Sequence, residues 1–310
     1  MMKKTVDVEN DLSFQCLKLI EQQLNDWPMA ANNYAALQFI EEKTFDFEDC
    51  RIKILFNPGR AVSSNAKVDK QSILERPCFL CSKNLPTEQK CLFLSEDFPV
   101  LLNPFPIFYP HLTIPHINHI PQQISSFFGE MLKMAKILSD YTIFYNGPRC
   151  GASAPDHLHF QAISKGIMPA ESESFSYTEN IHRSEEGYSL IKDELRTYFL
   201  IEGENEDVVE SAFKTIYDKL PQEESEEPMM NVLSAFTDNK FRTLVFPRKQ
   251  HRPQQYFAEN EKQIQISPGA VDMAGVLITS RKEDFDKLTK SDIKSIFKQV
   301  GMNVTTAGKF

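Results

Sequence analysis

No stretch of this 310-residue chain approaches the roughly 20 consecutive apolar residues that a membrane-spanning helix needs. A membrane protein is therefore not expected. Residues 1–11 carry Lys3 and Lys4 but no apolar run behind them, so no secretory leader is expected and the location reads as cytoplasmic. Positive charge is also scarce. Lysine and arginine total 34 against 43 aspartates and glutamates, a formal net charge of −9. That balance argues against broad binding to nucleic acid, which needs a basic face. A small phosphorylated ligand needs only a few cations in one place. The six cysteines, in a chain of this size without a leader, do not read as a disulfide framework. There is no tandem short-period repeat.

What is present is ordinary globular material. Hydrophobic residues make up 41% and charged residues 25%, enough for one large domain or two intimate halves. Leu12, Phe14, Cys16, Leu17, Leu19, Ile20 and Leu24 predict a helix over residues 11–25, ended by Trp27-Pro28. Strands are predicted at 34–40, 52–56, 91–94, 100–102 and 111–114. The clearest helix spans 125–141, where Phe127, Phe128, Met131, Leu132, Ala135 and Leu138 share one face. Strands follow at 142–145 and 157–163. The stretch from 164 to 228 is less regular, with a helix at 207–220. A hairpin is predicted from 231–236 and 242–246, then a strand at 276–280 and a helix at 290–300. Strand-rich halves with a few long helices give an α+β fold.

Five of the seven histidines fall between His111 and His159. Over residues 157–163 the alternation puts His157, His159 and Gln161 on one face, and Leu158, Phe160 and Ala162 on the other. A buried structural histidine is the bland reading of any one of them. Two on one strand face beside Gln161, after a loop rich in small residues, favour chemistry. A neutral imidazole can attack phosphorus at physiological pH. The product is a phosphoramidate, a covalent intermediate open to histidine. Gln161 can donate a hydrogen bond to a phosphate oxygen but cannot transfer a proton.

The run Tyr145-Asn146-Gly147-Pro148-Arg149-Cys150-Gly151-Ala152-Ser153-Ala154-Pro155-Asp156-His157-Leu158-His159-Phe160-Gln161-Ala162 resembles the active-site segment of the histidine-triad superfamily. It is most similar to the transferase and phosphorylase branch, in which glutamine replaces the third histidine. That branch holds galactose-1-phosphate uridylyltransferases, diadenosine tetraphosphate phosphorylases and GDP-hexose phosphorylases. Tyr109-Pro110-His111-Leu112-Thr113-Ile114-Pro115, Phe246-Pro247-Arg248 and the segment from Ile266 to Gly275 are similar to GDP-hexose phosphorylases in the same order. The resemblance implies antiparallel sheets flanked by helices, in two histidine-triad-like halves taken here as residues 1–165 and 166–310. It also implies that His159 becomes nucleotidylated, that Gln161 holds the transferred phosphate, and that Asn146 contacts the phosphates.

Cys78-Phe79-Leu80-Cys81 is weak evidence by itself, because a redox pair or two buried thiols give the same spacing. A structural zinc needs four ligands, and His116, His119 and His157 are on hand. By resemblance, Zn2+ is held by Cys78, Cys81, His157 and either His119 or His116, with His119 slightly preferred. A metal-free cysteine pair remains the alternative. For the phosphates, Arg149 and Ser153 sit in the segment leading to His159. The loop after Asn57-Pro58-Gly59 offers Arg60, Ser63, Ser64 and Lys67, without the Walker arrangement of glycine, lysine and serine. Arg248 opens the densest basic stretch.

The expected activity is a double displacement. His159 takes a nucleotidyl group from a nucleoside diphosphate sugar or dinucleoside polyphosphate and passes it to phosphate or a sugar phosphate. A nucleotide-binding protein of the same fold without turnover is the alternative, and a redox protein using Cys78 and Cys81 a third. Partners are the nucleotide or nucleotide-sugar substrate and its acceptor. No nucleic acid and no membrane are expected. A homodimer stays open, since nothing fixes the oligomeric state, the base or the sugar.

Overall fold

A computed structural model describes residues 11–60, 69–174, 181–222 and 226–303. Its centre is a ten-stranded sheet ordered β3-β4-β5-β7-β6-β11-β12-β10-β9-β8. The strands are β3 (Cys91–Ser95), β4 (Phe98–Leu102), β5 (His111–Pro115), β6 (Tyr141–Asn146), β7 (His159–Ser164), β8 (Ile181–Arg183), β9 (Tyr188–Lys192), β10 (Thr197–Gly203), β11 (Met230–Thr237) and β12 (Lys240–Pro247). All their pairings are antiparallel. A smaller sheet joins β1 (Glu41–Asp46), β2 (Arg51–Phe56) and β13 (Val276–Thr279), with β13 parallel to β2.

Alternation along the large sheet divides two cores. Phe160, Ala162, Ile143 and Tyr145 pack beneath the helices Leu12–Asp26, Phe128–Ile137 and Glu206–Lys219, with Cys16, Ile20, Met131 and Phe213. Phe128 and Phe213 stack at 3.8 Å and tie two of these helices together. On the opposite face, Phe144, Ile163, Leu233 and Leu244 meet Ile54, Leu277, Ile293 and Phe297 from the small sheet and the C-terminal helices. Each large side chain so buried is worth about 1.5–3 kcal/mol. His159 and Gln161 alternate with Phe160 and Ala162, so they face the second layer. The fold is thus α+β, with a large antiparallel sheet and a small mixed one flanked by helices.

The boundary expected at residue 165 falls just after β7. β6 pairs with β11 and β13 pairs with β2, so segments on either side of that boundary share both sheets. Residues 34–40 are not the expected strand. A helix, Pro28–Ala35, and a short 3-10 turn, Ala36–Phe39, come first, and β1 begins at Glu41. Pro28 sits at the first helical turn, where its missing N–H costs nothing. Trp27-Pro28 therefore ends one helix and starts another. The Tyr34 hydroxyl donates to the His111 carbonyl at 2.9 Å and holds this helix to β5. The helix expected over 125–141 is shorter, Phe128–Ile137, because Tyr141 already belongs to β6. Among the described residues, no helix is long and apolar enough to cross a membrane.

Candidate active site

A cavity of about 790 Å³ opens on the face of the sheet that carries His159. Asn146, Ser153, His159 and Gln161 line it, as do Arg60 and Asp272. Trp27, Phe79, Leu101 and Phe105 supply apolar wall.

His159 begins β7. Its Nδ1 lies 2.9 Å from the His157 carbonyl. A carbonyl only accepts, so Nδ1 carries the proton and Nε2 is left bare. Burial pushes the ring's pKa down to about 4, so at neutral pH the imidazole is uncharged. The fully buried Gln122 clamps the backbone of the same residue. Its Oε1 accepts the His159 N–H at 2.8 Å, while its Nε2 donates to the His159 carbonyl at 3.1 Å and the Asn146 carbonyl at 2.9 Å. One side chain therefore stands in for a strand partner and binds the end of β6 to the start of β7.

Asn146 ends β6. Its Oδ1 accepts from Asn231 Nδ2 at 2.9 Å and from the Ala270 N–H at 2.7 Å, which leaves its amide nitrogen as the remaining donor. Two glycines make room for this junction. A Cβ on Gly269 would stand 2.9 Å from Asn146 Oδ1, and one on Gly151, already at φ +97°, would stand 2.8 Å from the Gly269 Cα. Gln161 Oε1 lies 3.0 Å from His111 Nε2 and 3.5 Å from Asn103 Nδ2. Arg60 donates to the Phe105 carbonyl at 2.6 Å. The Asp272 carboxylate accepts the N–H groups of Gly269 and Ile278, and burial raises its pKa to about 6.

Two arginines expected at the phosphates stand elsewhere. Arg248 is fully buried and spends all five donors inside the protein, on Asn231 Oδ1 and on the carbonyls of Val300, Pro268, Gln250 and His251. It is a strut that ties β12 to the loops behind the cavity. Arg149 pairs with Glu226 at 2.8 Å and does not line the cavity. Ser63, Ser64 and Lys67 lie outside the described residues. Arg76 and Asn103 line the cavity and were missed, and His251 and Arg252 line it too. Gln122 was missed as well. The basic stretch after Arg248 did point at His251 and Arg252. For Arg76, Asn103 and Gln122 no local pattern carries the signal.

His157 does not share the strand face with His159. It sits in the turn before β7, and its side chain runs to the cysteine pair. Its Nδ1 is 3.3 Å from Cys78 Sγ and 3.6 Å from Cys81 Sγ, and His119 Nδ1 is 3.2 Å from Cys81 Sγ. One ligand atom from each of Cys78, Cys81, His119 and His157 lies within 4.8 Å of every other. His157 Nε2 donates to the His116 carbonyl at 2.7 Å, which leaves Nδ1 bare for a ligand role. A tetrahedral zinc with ordinary bond lengths separates sulfur from nitrogen by about 3.6 Å, so this donor set fits one. The His116 ring is not in the group. It accepts the Asn118 N–H at 3.0 Å and packs against Phe98 and Phe127.

Residues 19–164 match a domain family described as of unknown function (DUF4922), and residues 185–306 match the GDPGP1-like C-terminal domain. The fold is similar to the crystal structure of yeast Ap4A phosphorylase Apa2, with a TM-score of 0.61 and 16% identity over 90% of this chain and 97% of that one. The same yeast enzyme in complex with Ap4A gives a TM-score of 0.55 at 15% identity, covering 90% of this chain and 97% of that one. No curated protein sequence matches the chain. The likeness to the yeast enzyme is one of fold, and the C-terminal family match supports the resemblance to the histidine-triad superfamily read in the sequence.

Proposed function

We propose that the protein is a nucleotidyl-transferring phosphorylase. The observation that carries this reading is the state of His159: a buried neutral ring, Nδ1–H held by a backbone carbonyl, Nε2 bare, on the wall of a cavity that also presents Gln161 and Asn146. Nε2 attacks the α-phosphorus of a nucleoside diphosphate sugar or a dinucleoside polyphosphate. A nitrogen–phosphorus bond forms, and the bond from phosphorus to the bridging oxygen breaks. The leaving group takes the electron pair and departs as a phosphate. In the second step an oxygen of inorganic phosphate or a sugar phosphate attacks the same phosphorus, and His159 leaves as neutral imidazole. Gln161 and the Asn146 amide donate to the non-bridging oxygens, where charge builds in both steps. Ser153 and Arg60 add contacts to the phosphate chain. The absence of a third, proton-carrying histidine suits a phosphate leaving group, which needs little protonation. The ligands in the yeast enzyme's complexes, AMP and Ap4A, are of the class this site would take.

Cys78, Cys81, His119 and His157 would hold a structural Zn2+. Through that ion these four side chains would fix the turn that bears His157, apart from the phosphate-binding cavity. Any coupling to catalysis would run through this chain's own atoms, since the backbone carbonyl of His157 holds the His159 ring while its side chain would hold the metal. A cytoplasmic setting, where thiols stay reduced, keeps both cysteines available.

The test is incubation with GDP-, UDP- and ADP-sugars and with diadenosine tetraphosphate, each labelled at the α-phosphate, without acceptor. Label should attach to the protein, be released by inorganic phosphate, and be absent in His159→Ala. Nucleotide binding with no label and no turnover under any acceptor would leave only a binding role.

A further inference from the structure

We infer that His111 and Asn103 are positioning residues that fix which end of the Gln161 amide faces the cavity, and so make Gln161 a donor to the transferred phosphate. The inference rests on the transferase reading above and adds to it how the glutamine is held. A glutamine amide has nearly the same shape either way round. Turned one way it offers the phosphate two N–H donors. Turned the other way it sets a carbonyl lone pair against an anion. Something must choose.

The choice can be traced to two backbone N–H groups, which can only donate. The Ile107 N–H lies 3.1 Å from His111 Nδ1, so that nitrogen is the acceptor and the proton of the neutral ring sits on Nε2. The ring is fully buried, lies 6.1 Å from that of Phe144 between centroids, and is kept neutral by burial and by the nearby charge of Arg60. Its Nε2–H therefore donates to Gln161 Oε1 at 3.0 Å. In the same way the Phe105 N–H lies 3.0 Å from Asn103 Oδ1, so the other end of Asn103 is its NH2 group. That group lies 3.1 Å from Thr113 Oγ1 and 3.5 Å from Gln161 Oε1. Asn103 Nδ2 and His111 Nε2 are themselves 3.4 Å apart, an approach of two donors that is no bond; the oxygen both face is Gln161 Oε1. Two donors fixed from the backbone thus hold the glutamine oxygen. Gln161 Nε2 is the end left for the cavity. The sheet register supports this, since Thr113 pairs with Gln161 and His111 with Ile163, which brings His111 onto the Gln161 face one step along.

The experiment is a double-mutant cycle in kcat and KM, with wild type, Gln161→Ala, His111→Phe and the double variant. Diadenosine tetraphosphate and GDP-glucose, each with inorganic phosphate, are the probes. Gln161→Ala removes one transition-state donor and should lower kcat about 100-fold with little change in KM. His111→Phe keeps the ring's bulk but frees the amide to turn, and should lower kcat at least ~10-fold on the same grounds. Because His111 acts only through Gln161, adding His111→Phe to Gln161→Ala should change kcat by less than about twofold. His111→Gln keeps a donor and should recover most of the loss. If circular dichroism shows His111→Phe unfolded, Asn103→Leu takes its place with the same expectations. Losses that multiply in the double variant overturn the inference, as does a His111→Phe enzyme as fast as wild type. A wild-type protein inert toward both probes overturns the transferase reading itself, which separates the two failures.

Discussion

His159 keeps Nε2 bare because its Nδ1–H is spent on the carbonyl of His157, and His157 keeps Nδ1 bare because its Nε2–H is spent on the carbonyl of His116. One residue thus aims a nitrogen at the cavity and the other aims one at two sulfurs. Protonation of His159 removes the nucleophile, so the rate must fall as pH falls through its pKa. Since burial holds that value near 4 in the free protein, kcat/KM measured against pH should stay level through the ordinary histidine range and drop only on approaching pH 4. An acid limb centred near 6.5 would mean that the ring is open to water. Arg248 is predicted to act on stability. Arg248→Met leaves buried carbonyls unmet and should cost about 3 kcal/mol or more in urea unfolding. A phosphate contact would instead weaken nucleotide binding and leave unfolding unchanged. His159 and Gln161 were legible because alternation is local. Arg248 was misread because a basic run reads as exposed until the fold shows what surrounds it.

The first residue of β7 is tied to the end of β6 by Gln122, which no strand pattern announces. Gln122→Leu keeps the volume but strips the partners from the His159 N–H and from the carbonyls of His159 and Asn146. It should destabilise the protein by about 2–4 kcal/mol. Faster hydrogen exchange at the His159 amide would locate the damage, and unchanged exchange there would contradict it. The turn before β7 is predicted to depend on metal. Cys78→Ser should lose zinc by elemental analysis, melt earlier, and slow transfer without abolishing it, since the cluster holds the turn and not the phosphate. Full zinc content in the variant, or none in the wild type, would contradict the ligand set. Strands such as β5, β6 and β13 were legible from short apolar runs. The segment 34–40 was not, because its Tyr-Ala-Ala-Leu-Gln-Phe-Ile pattern suits strand and helix alike, and Pro28 and the Tyr34 bond to β5 decide it. His119 over His116 was legible only as a preference, since the choice depends on a loop's path.

The cavity itself gathers residues from Trp27 to Ile278, so nothing along the chain shows its walls. Arg76, Asn103 and Gln122 gain their meaning from contacts many residues away, which local periodicity does not carry. The α+β class, the antiparallel sheets and the central motif were readable. The unbroken ten-stranded sheet, with β6 against β11, was not. A cavity of this kind should bind substrate only when folded. A nucleotide present at 100 times its Kd should add about 2.7 kcal/mol to stability, seen as a raised melting temperature for the matching base and sugar and for no others. The most direct measurement is peptide mapping by mass spectrometry after incubation with α-labelled diadenosine tetraphosphate and nucleotide sugars without acceptor. A nucleotidyl group on His159, discharged by inorganic phosphate, is the predicted result; turnover that continues in a folded His159→Ala protein, or label on another residue, would contradict it.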